Sequence, residues 1–220
     1  MENETAEGPA HRAARHLTRI AGRAADFLFP PACPGCGRMQ ARHAGVCQEC
    51  WRDILFIERP YCEVLGLPFA YDLGSGILSA EAIANPPDFD RCRSACVFNG
   101  TARNLVHALK YHTELAPMLS SWMARAGREV LDNADAIVPV PLHVMRRLAR
   151  KFNQAAELAS GIAKLCGKPM LATALRRTRN TEHQVGLGRS GRVDNVRGAF
   201  AVTERGKTEI VGRRIVLVDD

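Results

Sequence analysis

The segment R-I-V-L-V-D-D at residues 214–220 decides the fold, because a short apolar run lies there between basic residues and two adjacent carboxylates. A run of leucine and β-branched residues predicts a central strand of a parallel sheet, which needs covering on both faces. Ligands of open α/β sheets bind beyond the carboxyl ends of the strands. Asp219 and Asp220 are therefore candidate binding residues, since such a pair suits ribose hydroxyls or a metal-bound polyphosphate.

Strand and helix patterns alternate before this segment. Residues 94–98 and 136–140 predict strands, and amphipathic patterns predict helices over about 102–109, 115–130 and 153–165. This order predicts an α/β fold with a mostly parallel sheet and covering helices. We expect the strand that ends at Asp219 to lie near the strand that ends at Val140, so that both ends face one pocket.

Four of the eight cysteines form two C-x-x-C pairs separated by ten residues: Cys33, Cys36, Cys47 and Cys50. Two thiolate pairs at this spacing can surround one tetrahedral ion, and zinc is its natural occupant. Because four cysteines leave no position for water, we expect the zinc to be structural. The alternatives are buried unpaired thiols or a redox C-x-x-C. His43, between the pairs, is expected to be a solvated loop residue.

The other cysteines do not suggest a second site. Cys62 resembles half of another pair whose second position is Leu65, and one thiol does not chelate alone. Cys92, Cys96 and Cys166 lie in apolar contexts and are interpreted as small core residues.

The sequence divides into three predicted parts. Residues 1–66 hold an amphipathic helix, over about 17–28, and the zinc module. Residues 67–90 are a linker rich in glycine and proline, and residues 91–220 are the α/β domain.

Charge and hydropathy limit the classes of function. The net charge is +7, and residues 142–214 contain 16 lysines and arginines against 5 acidic residues, which favours an anionic ligand. The sequence has no secretory signal, and no apolar stretch approaches the length of about 18 residues that a membrane span requires. We therefore expect a cytoplasmic protein without a membrane span, in which cysteines remain thiols or metal ligands.

An ordered set of short motifs resembles the ComF family across nearly the whole chain, together with the cysteine module. The motifs are L-K-Y at 109–111, V-P-V-P-L at 138–142, F-N-Q at 152–154, Gln184 with Leu187, Arg192 with Asn195, G-A-F at 198–200 and V-L-V-D-D at 216–220. The resemblance implies a type I phosphoribosyltransferase-like sheet fused to an N-terminal zinc finger, and a link to DNA uptake in competent bacteria.

The resemblance also implies roles for individual residues. Asp219 and Asp220 match the acidic pair that grips the ribose hydroxyls of phosphoribosyl pyrophosphate, where carboxylates can stabilise an oxocarbenium-like transition state while Mg²⁺ neutralises the pyrophosphate. Residues 140–143 correspond to the pyrophosphate-binding turn, and residues 176–192 look like the loop that closes over substrate. The implied substrate-binding residues are Pro139, Val140, Pro141, Leu142, Arg146, Arg147, Asn153, Gln154, Gln184, Arg192 and Asn195.

Each of these roles has a plainer alternative. Arg146 and Arg147 can equally belong to a solvated basic face, and Gln184, Arg192 and Asn195 to an exposed loop. Two departures from the family pattern also bear on activity. Lys151 replaces a glycine, and the threonine- and glycine-rich loop that follows the acidic pair in the family is absent from the sequence given. We therefore expect this sequence to bind phosphoribosyl pyrophosphate weakly or not at all and to lack transferase activity, and an extension through that loop to restore binding.

A second hypothesis is an adaptor that binds single-stranded nucleic acid in the DNA-uptake machinery. The basic excess of residues 142–214 would follow the strand, and the zinc module would contact a partner protein. Stacking platforms need exposed rings, whereas this half offers only Phe152 and Phe200, both beside core-like residues. Binding of a phosphate ester is therefore the preferred chemistry.

Overall fold

The computed structural model describes residues 31–40, 45–72, 74–145, 152–181, 186 and 188–220, and the structural statements below concern these residues. The strands are β1 (Ala136–Pro139), β2 (Leu175–Arg177), β3 (Phe200–Val202) and β4 (Ile215–Val218). The helices are α1 (Gln48–Asp53), α2 (Ala80–Ala84), α3 (Gly100–Leu109), α4 (Ala116–Ala126), α5 (Arg128–Asp132), α6 (Gln154–Cys166), α7 (Arg189–Val196) and α8 (Glu204–Ile210), with a 3-10 turn over Thr113–Leu115.

Strands β1 and β4 form a parallel pair, in register from Ala136 opposite Ile215 to Pro139 opposite Val218. This pairing confirms the predicted neighbourhood of the two strand ends and the α/β class. β1 is buried along its whole length, and the segment at Met170 bridges to it at Ile137. β4 is less buried than expected, because Leu217 is 60% exposed. The strand buried on both sides is therefore β1.

The main core lies where α6 packs against β1 and α4. Fully buried leucines and isoleucines from these elements and from α3 fill it: Leu105, Leu109, Ile137, Leu158 and Ile162. The contact between α4 and α6 is close, since the Ser120 hydroxyl donates to the Leu158 carbonyl at 3.1 Å. A Cβ atom at Gly161 would lie 2.3 Å from the Ser120 oxygen. Only glycine fits there.

Three local expectations differ from the structure. Residues 94–98 form no strand, because their only pairing within the described part of the chain is the isolated bridge from Phe56 to Cys96. The helix expected over 115–130 is interrupted at Gly127, which caps the end of α4. The loop expected over residues 176–192 begins in β2 and ends in α7, and the antiparallel pair of β2 and β3 was not predicted because each strand has only three residues.

The remaining sequence expectations have mixed outcomes. Cys92 is exposed and so is not a core residue, whereas Cys96 and Cys166 are half-buried beside the core. The helix expected over 17–28 and His43 lie outside the described residues. The three-part division at residues 66 and 90 stays a prediction. Among the described helices, none has the length and apolar character needed to cross a membrane.

Candidate functional site

The first C-x-x-C pair lies in a tight turn of the backbone. The N–H of Cys33 donates to the Arg38 carbonyl at 2.8 Å, and the N–H of Gly37 donates back to the Cys33 carbonyl at 2.7 Å. Gly37 has a φ of 74°, in the left-handed region that favours glycine. This turn directs the sulfur atoms of Cys33 and Cys36 toward the second pair.

The second pair begins helix α1, whose N-cap is Cys47. The backbone N–H of Cys47 donates to the Cys33 sulfur at 3.2 Å, and the N–H of Cys50 points to the Cys47 sulfur at 3.5 Å. The four sulfur atoms all lie within 4.8 Å of one another, and those of Cys36 and Cys47 are 3.7 Å apart.

These distances fit one zinc ion. With Zn–S bonds of about 2.3 Å, the sulfurs of a tetrahedral site are about 3.8 Å apart. Desolvation opposes ionisation of Cys33, but backbone N–H groups of Cys47, Gly35 and Cys36 lower the pKa of its thiol to about 6. Desolvation raises the pKa of Cys50 to about 12 in the metal-free protein. The four cysteines therefore form a structural zinc site, in which the metal's charge would hold Cys50 as a thiolate.

Hydrogen bonds attach this zinc site to helix α3. This helix belongs to residues 91–220, which are called the α/β half below. The Asp53 carboxylate accepts from the N–H of Thr101 at 2.7 Å, and the Asn104 side chain donates to the Gly35 carbonyl at 2.8 Å. A Cβ at Gly35 would lie 2.8 Å from the Thr101 methyl group, so glycine permits this close approach. The rings of Trp51, Phe56 and Trp122 form an aromatic cluster across the same junction.

The second candidate site lies at the carboxyl edge of the β1–β4 pair. The N–H of Val140 donates to the Val218 carbonyl at 2.9 Å, which extends the parallel ladder by one residue beyond Pro139. The turn that follows β1 and the acidic pair that follows β4 therefore emerge side by side. The Asn153 side chain donates to the Val140 carbonyl at 3.1 Å and joins the start of α6 to this edge.

The electrostatics of this edge centre on Asp219. Desolvation and the neighbouring Asp220 carboxylate raise the pKa of Asp219 to about 6, while the charge of Arg177 acts in the opposite direction. Arg177 is on β2, where its guanidinium group lies 5.1 Å from the centre of the Phe200 ring. The sequence indicated Arg177 only as part of the loop expected over residues 176–192. Its influence on the pKa of Asp219 depends on the β2–β3 pair, which the sequence did not predict.

Gln154 is the most buried polar side chain near this edge, with 1% exposure. Its Nε2 has no hydrogen-bond partner among the residues that the structure describes. A buried donor without a partner costs about 1–3 kcal/mol, so such a group calls for an explanation.

Comparison with known proteins agrees with both regions. Residues 24–83 match the double zinc ribbon domain family. Competence protein F of Haemophilus influenzae is 27% identical over 84% of this chain and 81% of its own length. DNA utilization protein YhgH of Escherichia coli is 29% identical, and that of Salmonella typhimurium is 30% identical, each over 81% of this chain and 78% of its own length.

The chain belongs to the ComF family. The family resemblance inferred from the sequence is thereby confirmed, and the zinc ribbon agrees with the four-cysteine site.

The residues that the ComF resemblance marked fall into four groups. Five lie at or directly beside the strand edge: Pro139, Val140, Asn153, Asp219 and Asp220. Pro141 and Leu142 follow in the turn, and Gln154 begins α6. Arg192 and Asn195 lie on α7, where the Asn195 carbonyl accepts from Arg179 at 3.1 Å. Arg146, Arg147 and Gln184 lie outside the described residues. All these ligand-binding roles stay predictions.

Proposed function

We propose that this member of the ComF family binds phosphoribosyl pyrophosphate or a nucleotide at the edge formed by Val140, Asp219 and Asp220. The observation that carries the proposal is the pairing of β1 with β4, since the Val140 N–H donates to the Val218 carbonyl at 2.9 Å. A turn and an acidic pair that are far apart in sequence thereby share one strand edge. This edge is where open α/β sheets bind ligands.

The chemistry of the edge supports a ribose phosphate ligand. Ionised Asp219 and Asp220 are acceptors for ribose hydroxyl donors and, in a transferase, would stabilise positive charge at the anomeric carbon. Mg²⁺ would accompany the pyrophosphate and reduce its repulsion from the carboxylates. The pKa of Asp219, raised to about 6, leaves the carboxylate mostly ionised at pH 7. Gln154, which follows Asn153 at the start of α6, is a further candidate donor, since its buried amide nitrogen has no hydrogen-bond partner among the residues that the structure describes.

The biological setting follows from the relatives. Curated members of the family are named for competence and for DNA utilization, so we propose a role connected with DNA uptake. We further propose a reducing, cytoplasmic location, where the four zinc ligands stay available to the metal and the other four cysteines stay thiols.

Calorimetric titration with magnesium phosphoribosyl pyrophosphate tests the binding site, with the 220-residue chain and a form extended through the threonine- and glycine-rich loop measured side by side and the substitutions made in the form that binds. Replacement of Asp219 or Asp220 by asparagine should weaken binding at least tenfold, since hydrogen bonds to a charged group contribute about 1.5–3 kcal/mol each. Asp132→Asn is the matched control, because Asp132 is an exposed carboxylate on α5. Equal affinity of all variants would place the site elsewhere, and failure of both the 220-residue and the extended forms to bind would refute the proposal.

A second candidate function is binding of single-stranded DNA, and an exposed aromatic surface favours it. Phe98 and Tyr111 are 61% and 78% exposed. The His107 ring centre is 6.4 Å from that of Phe98, and the Lys110 amine is 3.3 Å from the His107 ring nitrogen. Rings that stack on bases beside cations that contact phosphates are typical of single-strand binding. This surface lies outside the basic half where the sequence suggested only Phe152 and Phe200.

Fluorescence anisotropy with a labelled oligothymidylate distinguishes this second function. Tyr111→Ala should weaken binding about tenfold, since stacking contributes about 1–3 kcal/mol per base. Tyr71→Ala is the matched control, because Tyr71 is 79% exposed. Equal affinity of the two variants would remove the stacking surface as the binding site.

A further inference from the structure

The segment around Cys62 repeats the backbone pattern of the first C-x-x-C turn. The N–H of Cys62 donates to the Leu67 carbonyl at 2.8 Å, and the N–H of Gly66 donates back to the Cys62 carbonyl at 2.8 Å. These are the same donor and acceptor offsets as in the Cys33 turn. The flanking bridge between Tyr61 and Pro68 also matches the one between Ala32 and Met39, and Gly66, like Gly37, has a positive φ. Cys62 therefore occupies the position of a first zinc ligand.

The repetition continues into helix α2. The N–H of Ser79 donates to the Cys62 sulfur at 3.2 Å, which is the distance from the Cys47 N–H to the Cys33 sulfur. Ser79 is also the N-cap of α2, as Cys47 is the N-cap of α1. Ser79 therefore occupies the position of Cys47.

The last ligand position corresponds to Ala82. Its N–H donates to the Ser79 hydroxyl at 3.2 Å, as the N–H of Cys50 points to the Cys47 sulfur. Ala82 and Cys50 are both buried, with 4% and 5% exposure. The third residue after Cys62, where the first turn has Cys36, is Leu65. The four ligand positions thus hold one cysteine, one leucine, one serine and one alanine.

We propose that residues 60–84 are a second zinc ribbon that keeps the ribbon backbone but folds without a metal ion. The double zinc ribbon match covers this segment. Leucine and alanine have no donor atom, so the four positions do not fit zinc, which takes four cysteine or histidine ligands in structural sites. The Cys62 sulfur instead accepts backbone N–H groups from Ser79 and, at 3.5 Å, from Leu65.

A buried arginine joins the second ribbon to helix α5. The Arg93 side chain is only 4% exposed, and it forms ion pairs with Glu63 of the second ribbon and Glu129 of α5. It also donates to the Glu63 carbonyl at 2.9 Å. Its guanidinium group lies 4.5 Å from the centre of the Tyr61 ring. The ion pairs of Arg93 therefore connect the second ribbon to the α/β half.

Restoration of the missing ligands tests the assignment. The variant Leu65→Cys, Ser79→Cys, Ala82→Cys should raise the zinc content from one to two equivalents per chain, and its Co²⁺ form should show doubled thiolate charge-transfer absorbance. Cys62→Ser in the otherwise unaltered protein should leave the content at one. Two equivalents in the unaltered protein, loss of zinc in Cys62→Ser, or one equivalent in the folded triple variant would each overturn the proposal.

Hydrogen exchange on the unaltered protein keeps the test independent of whether the triple variant folds. A zinc chelator should increase exchange at the amides of Gly37 and Cys47, which support the first site. The amides of Gly66 and Ser79 should keep their protection. A chelator-induced loss of protection at both ribbons would show that the second one also depends on metal.

Discussion

The zinc ribbon is formed by residues that are close together in sequence, whereas the strand edge is formed by residues that are far apart in sequence. The four zinc ligands lie within residues 33–50, and their spacing alone reveals the site. At the strand edge, Val140 and Asp219 come together only because β1 pairs with β4. The first ribbon is held by its four metal ligands and the second by backbone hydrogen bonds to Cys62 and the ion pair of Arg93, whereas the α/β half is held by apolar burial and close helix packing. Substitutions should therefore have different consequences in the two regions.

The largest effect is expected at the zinc ligands. Cys36→Ser should reduce the zinc content from one equivalent to well below one and unfold the first ribbon, because structural zinc contributes about 10–16 kcal/mol in small zinc domains. Metal analysis of the purified protein measures this directly. Unchanged zinc in Cys36→Ser would show that the four cysteines are not the ligands.

The next effect is expected at the charged junction between the two regions. Arg93→Met should lower the free energy of unfolding by about 3 kcal/mol, since it removes the main partner of the Glu129 carboxylate and the buried partner of Glu63, and leaves both with the exposed Arg59. Arg59→Met is the matched control, because Arg59 pairs with the same carboxylates but is 51% exposed, and it should cost less than about 1 kcal/mol. Urea unfolding at pH 7 measures both, and equal costs would contradict the account.

The stability that the ion pairs at this junction contribute depends on pH in a defined direction. The hydrogen bond from Arg59 lowers the pKa of Glu63, and hydrogen bonds from Arg93 and Arg59 outweigh desolvation to lower that of Glu129. The stabilisation is therefore present above the ordinary glutamate pKa of 4.5 and is lost as the pH falls through the lowered values. The difference between Arg93→Met and the unaltered protein should shrink in acid.

Within the α/β half, close packing takes the place of cross-links. Gly161→Ala should cost about 2 kcal/mol, because the added Cβ would meet the Ser120 oxygen at 2.3 Å and force α4 and α6 apart. Gly188→Ala is the control, since no described residue lies within 4 Å of a Cβ there. Thermal unfolding compares the two variants. A neutral Gly161→Ala would show that this helix contact is looser than described.

The smallest effect concerns Asp219 itself. Because the pKa of Asp219 is raised in the folded protein, the protonated carboxyl stabilises the folded state. This stabilisation is complete below pH 3.8, the ordinary aspartate pKa, and is lost as the pH rises through about 6. Asp219→Asn should therefore stabilise the protein at pH 7, by up to about 1 kcal/mol after allowance for solvent screening. Thermal unfolding between pH 5 and 8 should show a gain that grows with pH, whereas Asp132→Asn should show none.

The sequence predicted the features that depend on local spacing. The cysteine pattern identified the zinc ligands, and the apolar runs ending at Val140 and Asp219 identified the parallel strands. It missed β2 and β3, because three-residue strands carry almost no periodic signal. It also missed the metal-free ribbon, since Ser79 and Ala82 are recognisable only from their hydrogen bonds to Cys62 and to each other.

The role of Arg93 could not be predicted for a similar reason. Its partners Glu63 and Glu129 lie 30 and 36 residues away in sequence, and nothing local distinguishes Arg93 from the exposed arginines. Burial decides its importance, and burial depends on how the ribbon packs against α5.

Mapping of amide chemical shifts by NMR, during titration of the form extended through the threonine- and glycine-rich loop with magnesium phosphoribosyl pyrophosphate, tests the central claim most directly. The account predicts that the largest changes cluster at the strand edge, at the amides of Val140, Asn153, Asp219 and Asp220. Changes confined to the zinc ribbons, or to the aromatic surface at Phe98 and Tyr111, would contradict a ligand site at the ends of β1 and β4.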